Sequence, residues 1–359
     1  MGPSWTLREY KDGDEEGLFE LHKAVFPSLK QSKERWMRWW HWMYRQNPTG
    51  TGRIWLAEHE NRIVGQSAII PVVMKFGSEI VTCFQALHTM THPEYRRQGI
   101  YETLAKRTYA EAAKEGIRIG YRFPNKNSHW IAINKLNWFD VATMQVMFKP
   151  LNWRNASKLR IKNKFLAELC AMGGNIVDKI FYRASTPPLV DGLAITQISS
   201  FDERISEFCS TTSNQYPIMV VRSEEYLNWR FATVPDMEYS IYVAEKTGKV
   251  CGYLVVRCAQ RQQTNVGFIY DILAQSEQIA QCLISESMNQ FEQEKVDLIY
   301  YEMIENKILR NAFSANGFLS VPFIKGMRFC AYSSSPDIPK DFLKNSKNWL
   351  VHRGDSDAV

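Results

Sequence analysis

The sequence predicts an α/β protein built from two similar halves. A strand, a basic loop with a glycine, a helix and a second strand follow one another between residues 80 and 123, which is the order of a βαβ unit. Shifting the chain by 187 residues, the separation of Trp42 and Trp229, aligns Arg35–Gly65 with Arg222–Gly252 without a gap. A chain of 359 residues is also long for a single hydrophobic core.

The first elements have clear boundary signals. Residues 5–10 form the first predicted strand, and Asp12 with Glu15 suits a capping box for the helix that follows. A second helix is predicted to begin at Ser32, because tryptophan and methionine recur there at helical spacing, and Pro48 ends it.

The middle of the first half alternates between strand and helix patterns. A polar turn separates the first two of these strands, which indicates a hairpin. Pro93 ends the third strand, and a helix is predicted from Ile100 to the basic and glycine-containing segment 114–116. The strand patterns cover residues 53–59, 63–74, 80–91 and 117–123.

Composition narrows the class of protein. Hydrophobic residues make up 45% and charged residues 23%, as in ordinary globular proteins, and the net charge of +6 suits a polyanionic small ligand as well as nucleic acid. The seven cysteines are scattered and form no Cys-x-x-Cys pair, which favours a reducing compartment. With no signal-peptide pattern and no apolar run near the ~20 residues that span a bilayer, we expect a cytoplasmic protein without a membrane span.

The loop before the third helix suits an anion. Unpaired N–H groups and a partial positive charge mark the amino terminus of a helix, so an anion is stabilised there. Gly99 lets the backbone approach that anion, and Arg96 and Arg97 add guanidinium groups that match phosphate. The alternative is a solvated basic turn at an ordinary helix start.

Residues 91–101, Thr-His-Pro-Glu-Tyr-Arg-Arg-Gln-Gly-Ile-Tyr, resemble the acetyl-CoA motif of the GNAT superfamily of N-acetyltransferases. The family pattern is Gln/Arg-x-x-Gly-x-Gly/Ala. Arg96 and Gly99 match it, whereas Tyr101 stands where the second small residue belongs. The order of elements resembles the GNAT fold from Trp5 to about Lys149, which implies a mixed, mostly antiparallel sheet flanked by helices.

This resemblance implies roles for individual residues. Backbone groups of the segment 89–91 would line the pantetheine, and one amide would polarise the thioester carbonyl. Asn127 would contact the CoA arm, with helix capping as the alternative. The cofactor residues carried over are Thr89, Met90, Thr91, Arg96, Arg97, Gln98, Gly99, Ile100, Tyr101 and Asn127.

The internal repeat predicts a second GNAT-like domain that has lost the loop. Ala274–Gln278 stands at the place of the basic loop and has neither arginine nor glycine, so one CoA site is expected. We predict a catalytic domain at residues 1–150, a connector at 151–193 with a helix near Phe165–Ala171, a degenerate domain at 194–335 and a tail at 336–359.

The sequence offers candidates for the catalytic base and acid, but not at the positions where the family has them. Direct attack by an amine needs a base, and a donor can protonate the leaving thiolate. Phe84 occupies the place of the base glutamate found in histone-modifying relatives, and Ile133 occupies that of the acid tyrosine. We take His88 as the candidate base, Tyr121 as the candidate acid and Glu58 as a further carboxylate, although packing roles would explain each of them.

Two other segments leave alternatives open. The segment 354–357 either folds back and carries a base, with Trp349 as an anchor, or frays like many termini. The tryptophans at 36, 39, 40 and 42 either stack an acceptor or pack in the core. His88 and His92 lie too far apart along a strand for a metal pair, so no metal is expected.

The sequence therefore predicts an N-acyltransferase that uses acetyl-CoA as cosubstrate and transfers the acyl group directly to a small-molecule or peptide primary amine. Nucleic acid is not an expected partner. Two alternatives remain: an aminoacyl-tRNA-dependent transferase, which would not need the loop at 96–101, and a non-catalytic protein that binds CoA for sensing or assembly.

Overall fold

The computed structural model describes residues 5–158, 188–261 and 264–357. Its strands are β1 Thr6–Glu9, β2 Arg53–His59, β3 Arg62–Phe76, β4 Glu79–Thr91, β5 Ile119–Arg122, β6 Phe139–Pro150, β7 Leu193–Ile198, β8 Ile218–Val220, β9 Ser240–Lys246, β10 Lys249–Arg261, β11 Thr264–Ala274, β12 Leu298–Met303, β13 Leu319–Ser333 and β14 Trp349–Leu350. Its helices are α1 Glu15–Val25, α2 Lys33–Arg45, α3 Ile100–Lys114, α4 Lys126–Lys135, α5 Trp153–Lys158, α6 Arg204–Thr212, α7 Glu224–Leu227, α8 Glu277–Gln293, α9 Lys307–Ala315 and α10 Lys340–Lys344.

The strands form one mixed, mostly antiparallel sheet with helices packed against it. Its order is β1-β2-β3-β4-β5-β13-β6-β12-β11-β10-β9-β7, and the short β8 and β14 pair beside β3. Along the main path, β4 with β5 and β11 with β12 are the parallel pairs, and each is connected by a long helix, α3 or α8. This is the fold class that the sequence predicts.

The last strand of each half crosses into the middle of the sheet. Strand β13 pairs with both β5 and β6, and β6 also pairs with β12. Backbone hydrogen bonds therefore run through the whole sheet without a break. The predicted domain limits at residues 150, 193 and 335 stay predictions, and the predicted connector helix at 165–171 lies outside the described residues.

Local signals explain how the first half begins. Glu60 and Asn61 both have positive φ angles, 49° and 62°, so the β2–β3 hairpin has the left-handed turn that fits the twist of the strands. Ser32 caps α2 by accepting a hydrogen bond from the Arg35 amide at 3.3 Å. Both predictions are confirmed.

The predicted capping box at the start of α1 is wrong. The helix begins at Glu15 after Asp14, whose side chain makes no cap hydrogen bond to the helix. Asp14 instead accepts from the Arg8 guanidinium and from the backbone amide of Lys11, and Asp12 pairs with Arg45. Nearby arginines attract these carboxylates more strongly than the helix amides do, because a charged donor forms the stronger bond.

Two tryptophans from the aligned segments face each other in the core. The Trp42 and Trp229 rings stack with centroids 4.9 Å apart. Each indole Nε1 donates to the backbone carbonyl of the other residue, at 2.8 and 3.0 Å. Residues that correspond in the internal alignment therefore meet in a reciprocal contact.

The C-terminal segment folds back into the protein, so the fraying alternative is wrong. Trp349 is buried and donates its Nε1 to the Leu343 carbonyl at 2.7 Å. Asp355 is 3% exposed and lies 3.1 Å from the guanidinium of Arg222, which also pairs with Asp271 at 3.0 Å. A buried arginine between two carboxylates thus holds the chain end in place.

Among the helices of the described segments, none is both long enough and apolar enough to cross a membrane. The described cysteines form no disulfide, and Cys170 lies outside the described residues.

Candidate functional site

A bulge in β4 lies at the centre of the site. Strand β3 pairs Ala68 with Leu87 and Gln66 with Met90, so two residues of β4, His88 and Thr89, face one residue of β3. His88 has a φ of 45°, and its carbonyl accepts a hydrogen bond from Gln66 Nε2 at 2.9 Å. A bulge leaves a residue outside the ladder, so backbone groups become available to a ligand at this point.

Next to the bulge, β4 and β5 separate. They pair only at Phe84 with Gly120 and at Gln85 with Tyr121. A Cβ atom on Gly120 would lie 2.4 Å from the Phe84 ring, so the close approach of the strands requires glycine. Beyond this pair, toward the carboxyl end of β4, the two strands have no further backbone pairing.

The loop after β4 turns sharply into α3. Pro93–Tyr95 forms a short 3₁₀ turn, and Arg97 and Gly99 then adopt left-handed conformations with φ of 65° and 78°. Gly99 precedes the first residue of α3, Ile100. The free amides of the first helical turn therefore lie beside two exposed arginines, Arg96 and Arg97, which is the arrangement an anion needs.

A groove of about 580 Å³ runs along this loop, and we call it the loop groove. It is also lined by residues of α4, including the exposed Trp130. The predicted cofactor residues that line it are Thr89, Met90, Thr91, Arg96, Arg97, Gly99, Ile100, Tyr101 and Asn127. Gln98 is exposed in the loop and is not among the lining residues.

A second cavity of about 290 Å³, the aromatic chamber, adjoins the loop groove. Phe26 and Met90 line both cavities, so the two meet at these side chains. The other lining residues of the chamber are His22, Leu29, Gln31, Trp36, Trp39, Trp40, Tyr44, Gln66, His88, Met237 and Asp357.

His88 lies in the chamber between a tyrosine and a carboxylate. Its Nδ1 is 2.7 Å from the Tyr44 hydroxyl, and its Nε2 is 3.8 Å from Asp357 Oδ2. The Trp39 and His88 rings make an edge-to-face contact at a centroid distance of 4.8 Å. Burial lowers the pKa of His88 to about 4, and the Asp357 carboxylate opposes that shift in part. The imidazole is therefore neutral at neutral pH, and the same burial makes it a weaker base than a free imidazole.

The model of the acetyltransferase (GNAT) domain family matches residues 6–130. A GCN5-related N-acetyltransferase from Anabaena variabilis has a similar structure, with a TM-score of 0.60, 13% identity, and coverage of 91% of this chain and 72% of that one. The fold is that of the GNAT acyltransferases.

Other solved structures share this GNAT fold. A probable N-acyltransferase from Enterococcus faecalis has a TM-score of 0.62 and 11% identity, with 91% of this chain and 71% of that one covered. The N-myristoyltransferase of Saccharomyces cerevisiae with bound myristoyl-CoA has a TM-score of 0.60 and 12% identity, with 97% and 85% covered. No curated protein matches the sequence.

The structure separates the two interpretations of Asn127. Asn125 caps α4, because its side chain accepts from the amides of Asn127 and Ser128 at 3.0 and 2.9 Å. Capping by Asn127 is therefore wrong, and its side chain is left to line the loop groove.

Two of the three predicted catalytic residues lie away from both cavities. Tyr121 is 1% exposed, and its ring packs against Phe123 and Phe329 in the core. Glu58 pairs with Arg8 at 2.6 Å at the edge of the sheet. Core packing accounts for Tyr121 and an ion pair accounts for Glu58, and their catalytic roles stay predictions. Only His88 lines a cavity.

Tyr101 occupies the position of a small residue in the GNAT motif. In the structure its hydroxyl has a hydrogen-bond partner that the sequence did not reveal. Its hydroxyl accepts a hydrogen bond from Arg122 at 2.6 Å. Arg122 is 5% exposed, and its Nε has no partner in the part of the chain that the structure describes. A buried cation therefore lies directly behind a groove residue, which adds to the positive potential of the groove.

A third cluster lies apart from these cavities. Ligand atoms of His129, Asp140 and Cys330 all lie within 4.8 Å of one another. The Arg328 guanidinium is 3.2 Å from the His129 ring nitrogens and would repel a bound cation. The expected absence of a metal site stays a prediction.

Proposed function

We propose that the protein is an acyl-CoA-dependent N-acyltransferase that transfers an acetyl group from acetyl-CoA to a primary amine. One observation carries the proposal: the loop groove leads into the aromatic chamber at Met90, next to the His88 imidazole. A thioester at this junction would have its carbonyl beside the β4 bulge and an acceptor on the chamber side.

The loop groove supports binding of the CoA pyrophosphate. The amino terminus of α3 offers free amides, and Arg96 and Arg97 supply two guanidinium groups that bind phosphate oxygens in pairs. The buried Arg122 behind Tyr101 adds a third positive charge that water screens weakly.

His88 and the bulge support the transfer step. The amine nitrogen attacks the thioester carbonyl carbon to form a C–N bond. A backbone amide of residues 88–91, the segment that contains the bulge, stabilises the oxyanion. In this step His88 carries its own proton on Nδ1 and donates it to the Tyr44 hydroxyl, so Nε2 is free to take the proton from the amine nitrogen. The Asp357 carboxylate stabilises the imidazolium that forms. The C–S bond then breaks, and the proton that His88 took from nitrogen passes to the thiolate, so that the products are an amide and CoA thiol and the imidazole is neutral again.

The size of the chamber supports a short acyl group. At about 290 Å³ it lies at the lower end of the roughly 300–1,000 Å³ of small-molecule sites, and it must hold the acceptor as well. We therefore prefer acetyl over long chains, although the Saccharomyces cerevisiae enzyme with this fold is an N-myristoyltransferase.

We also propose that the two halves are copies of one GNAT-like unit and that only the first binds CoA. Two features support a common origin of the halves. Trp42 and Trp229 make a reciprocal contact, and β2 and β3 occupy the positions in the first half that β9 and β10 occupy in the second. Ser276 caps α8 at the place that corresponds to the basic loop. The reducing cytoplasm is our proposed compartment, supported by the free thiols.

Calorimetry with acetyl-CoA tests the binding site. In the double variant Arg96→Ala/Arg97→Ala we expect affinity to fall at least tenfold, since a hydrogen bond to a charged group contributes about 1.5–3 kcal/mol. Lys114→Ala, an exposed basic residue at the other end of α3, is the matched control and should bind like the wild type. Wild-type affinity in the double variant would remove the loop groove as the CoA site.

Release of free thiol in the presence of an amine panel tests the activity. We expect turnover with acetyl-CoA to exceed that with myristoyl-CoA, and His88→Ala to lower kcat by about 10²–10⁴-fold, the usual contribution of a positioned base. His129→Ala, outside both cavities, should keep the wild-type rate. Binding of acetyl-CoA without thiol release from any amine would favour a CoA-binding sensor over an enzyme.

A further inference from the structure

The walls of the aromatic chamber are made mainly of rings. Helix α2 places Trp36, Trp39, Trp40 and Tyr44 on one side at spacings of three and four residues, which put them on one face. Trp36 and Trp40 are almost fully buried, whereas Trp39 is partly exposed toward the cavity that His88 also lines. These faces favour an apolar or aromatic ligand by burial and by ring stacking.

The charges of the chamber discriminate between acceptors. Asp357 is its one carboxylate, and no lysine or arginine occurs among the lining residues of the described chain. An acceptor with a carboxylate or phosphate would lie near Asp357 without a cation to neutralise it. A buried anion without a cationic partner is strongly disfavoured, so the chamber selects against such acceptors.

Four polar atoms of chamber residues lack a hydrogen-bond partner within the described ranges: His22 Nε2, Trp36 Nε1, Trp40 Nε1 and Gln66 Oε1. The Gln66 amide oxygen is the one among them that can only accept a hydrogen bond. Gln66 is 1% exposed, and its Nε2 is used by the hydrogen bond to the His88 carbonyl at 2.9 Å. Its Oε1 is buried and has no hydrogen-bond partner within the described ranges. A buried amide oxygen without a donor is costly, and a primary amine has the N–H group that it needs.

The mouth of the chamber is apolar as well. Phe26 and Leu29, on the connection between α1 and α2, are 40% and 55% exposed although both are large hydrophobic side chains. Both line the chamber. Exposed apolar residues grouped at the rim of a cavity are typical of a surface that a ligand covers.

We infer that the acceptor is a primary amine on a compact aromatic or alkyl group without an anionic substituent. Its apolar part packs against Trp39 and the rings of α2, and its amine donates to Gln66 Oε1 within reach of His88. This inference rests on the proposed transferase function and adds the class of the acceptor to it.

Two pairs of probes test the class. Phenethylamine and phenylalanine differ by the carboxylate, and phenethylamine and ethylamine differ by the aromatic ring. With saturating acetyl-CoA and thiol release as the readout, we expect kcat/KM for phenethylamine to exceed that for phenylalanine at least 100-fold and that for ethylamine at least tenfold. Equal or higher kcat/KM with phenylalanine would overturn the inference and leave the transferase proposal standing.

Substitutions in the aromatic chamber distinguish binding of the acceptor from binding of the cosubstrate. Trp39→Ala should raise KM for phenethylamine at least fivefold and leave KM for ethylamine and acetyl-CoA within twofold. Ile308→Ala, which removes an exposed apolar side chain outside both cavities, is the control and should leave KM for phenethylamine unchanged. An unchanged KM for phenethylamine in Trp39→Ala would contradict the assignment of the chamber.

Calorimetric titration of phenethylamine into the CoA-saturated protein keeps the test independent of turnover. Binding that weakens in Trp39→Ala supports the chamber even if thiol release fails, in which case only the transferase proposal falls. No binding of phenethylamine to the wild type refutes the inference.

Discussion

The substitution Asp355→Ala should reveal how the chain end is held at the site. Arg222 is fully buried and pairs with Asp271 at 3.0 Å and with Asp355 at 3.1 Å. Asp355 also accepts the His352 amide at 2.8 Å. Removing one partner of a buried pair costs about 3–5 kcal/mol, and because Asp271 remains, we expect a loss near the lower end, about 3 kcal/mol.

Urea unfolding measures this loss through the midpoint, provided that the slope m stays constant. Asp202→Ala is the control, because Asp202 pairs with Arg204 while both side chains are about half exposed, and the loss there should stay below about 1 kcal/mol. A loss below 1 kcal/mol in Asp355→Ala would refute the reasoning that the buried pair holds the segment.

The same variant should lose activity. Asp357 lies two residues beyond Asp355 and reaches His88 only because the segment folds back. We expect kcat to fall in Asp355→Ala by about the factor seen in Asp357→Asn, while KM for acetyl-CoA stays near wild type. A destabilised variant with wild-type kcat would show that the position of Asp357 does not matter for transfer.

Three further predictions concern the core and its response to pH. Trp42→Ala should cost about 3–5 kcal/mol in urea unfolding, and a double-mutant cycle with Trp229→Ala should show coupling, since the two side chains stack on each other. Gly120→Ala should cost about 1–3 kcal/mol, since its Cβ would meet the Phe84 ring at 2.4 Å; an unchanged midpoint would contradict that contact. Burial lowers the pKa of His352 from 6.5 to about 3, so the unfolded chain binds the proton first, and stability is lost as pH falls from about 6.5 toward 3. We expect His352→Asn to flatten that part of the curve of unfolding free energy against pH.

Local patterns were enough to predict most elements of the first half. The start of α2 at Ser32, the hairpin turn at Glu60 and Asn61 and the start of α3 after Gly99 all depend on neighbours a few residues away. The loop groove could be predicted for the same reason, because a helix start and its flanking arginines are adjacent in sequence. The capping box at Asp12 failed where Arg8 and Arg45 offered stronger partners.

The catalytic side of the site could be predicted only in part. His88 was found because an imidazole on β4 near the loop is suggestive by itself, but its partners Tyr44 and Asp357 are 44 and 269 positions away along the chain. Tyr121 and Glu58 lie outside both cavities, because Tyr121 packs against Phe329 of β13 and Glu58 pairs with Arg8, and the sequence does not show either contact.

The sequence by itself therefore determined the fold class, the basic loop, and the alignment of one half with the other. Tertiary structure alone decided that β6 and β13 cross between the halves, that the chain end reaches His88, and that aromatic rings of α2 enclose a chamber beside the loop groove. The physical reason is the range of the interactions. Helix starts and turns depend on adjacent residues, whereas a buried ion pair such as Arg222 with Asp355 joins distant segments that no local pattern connects.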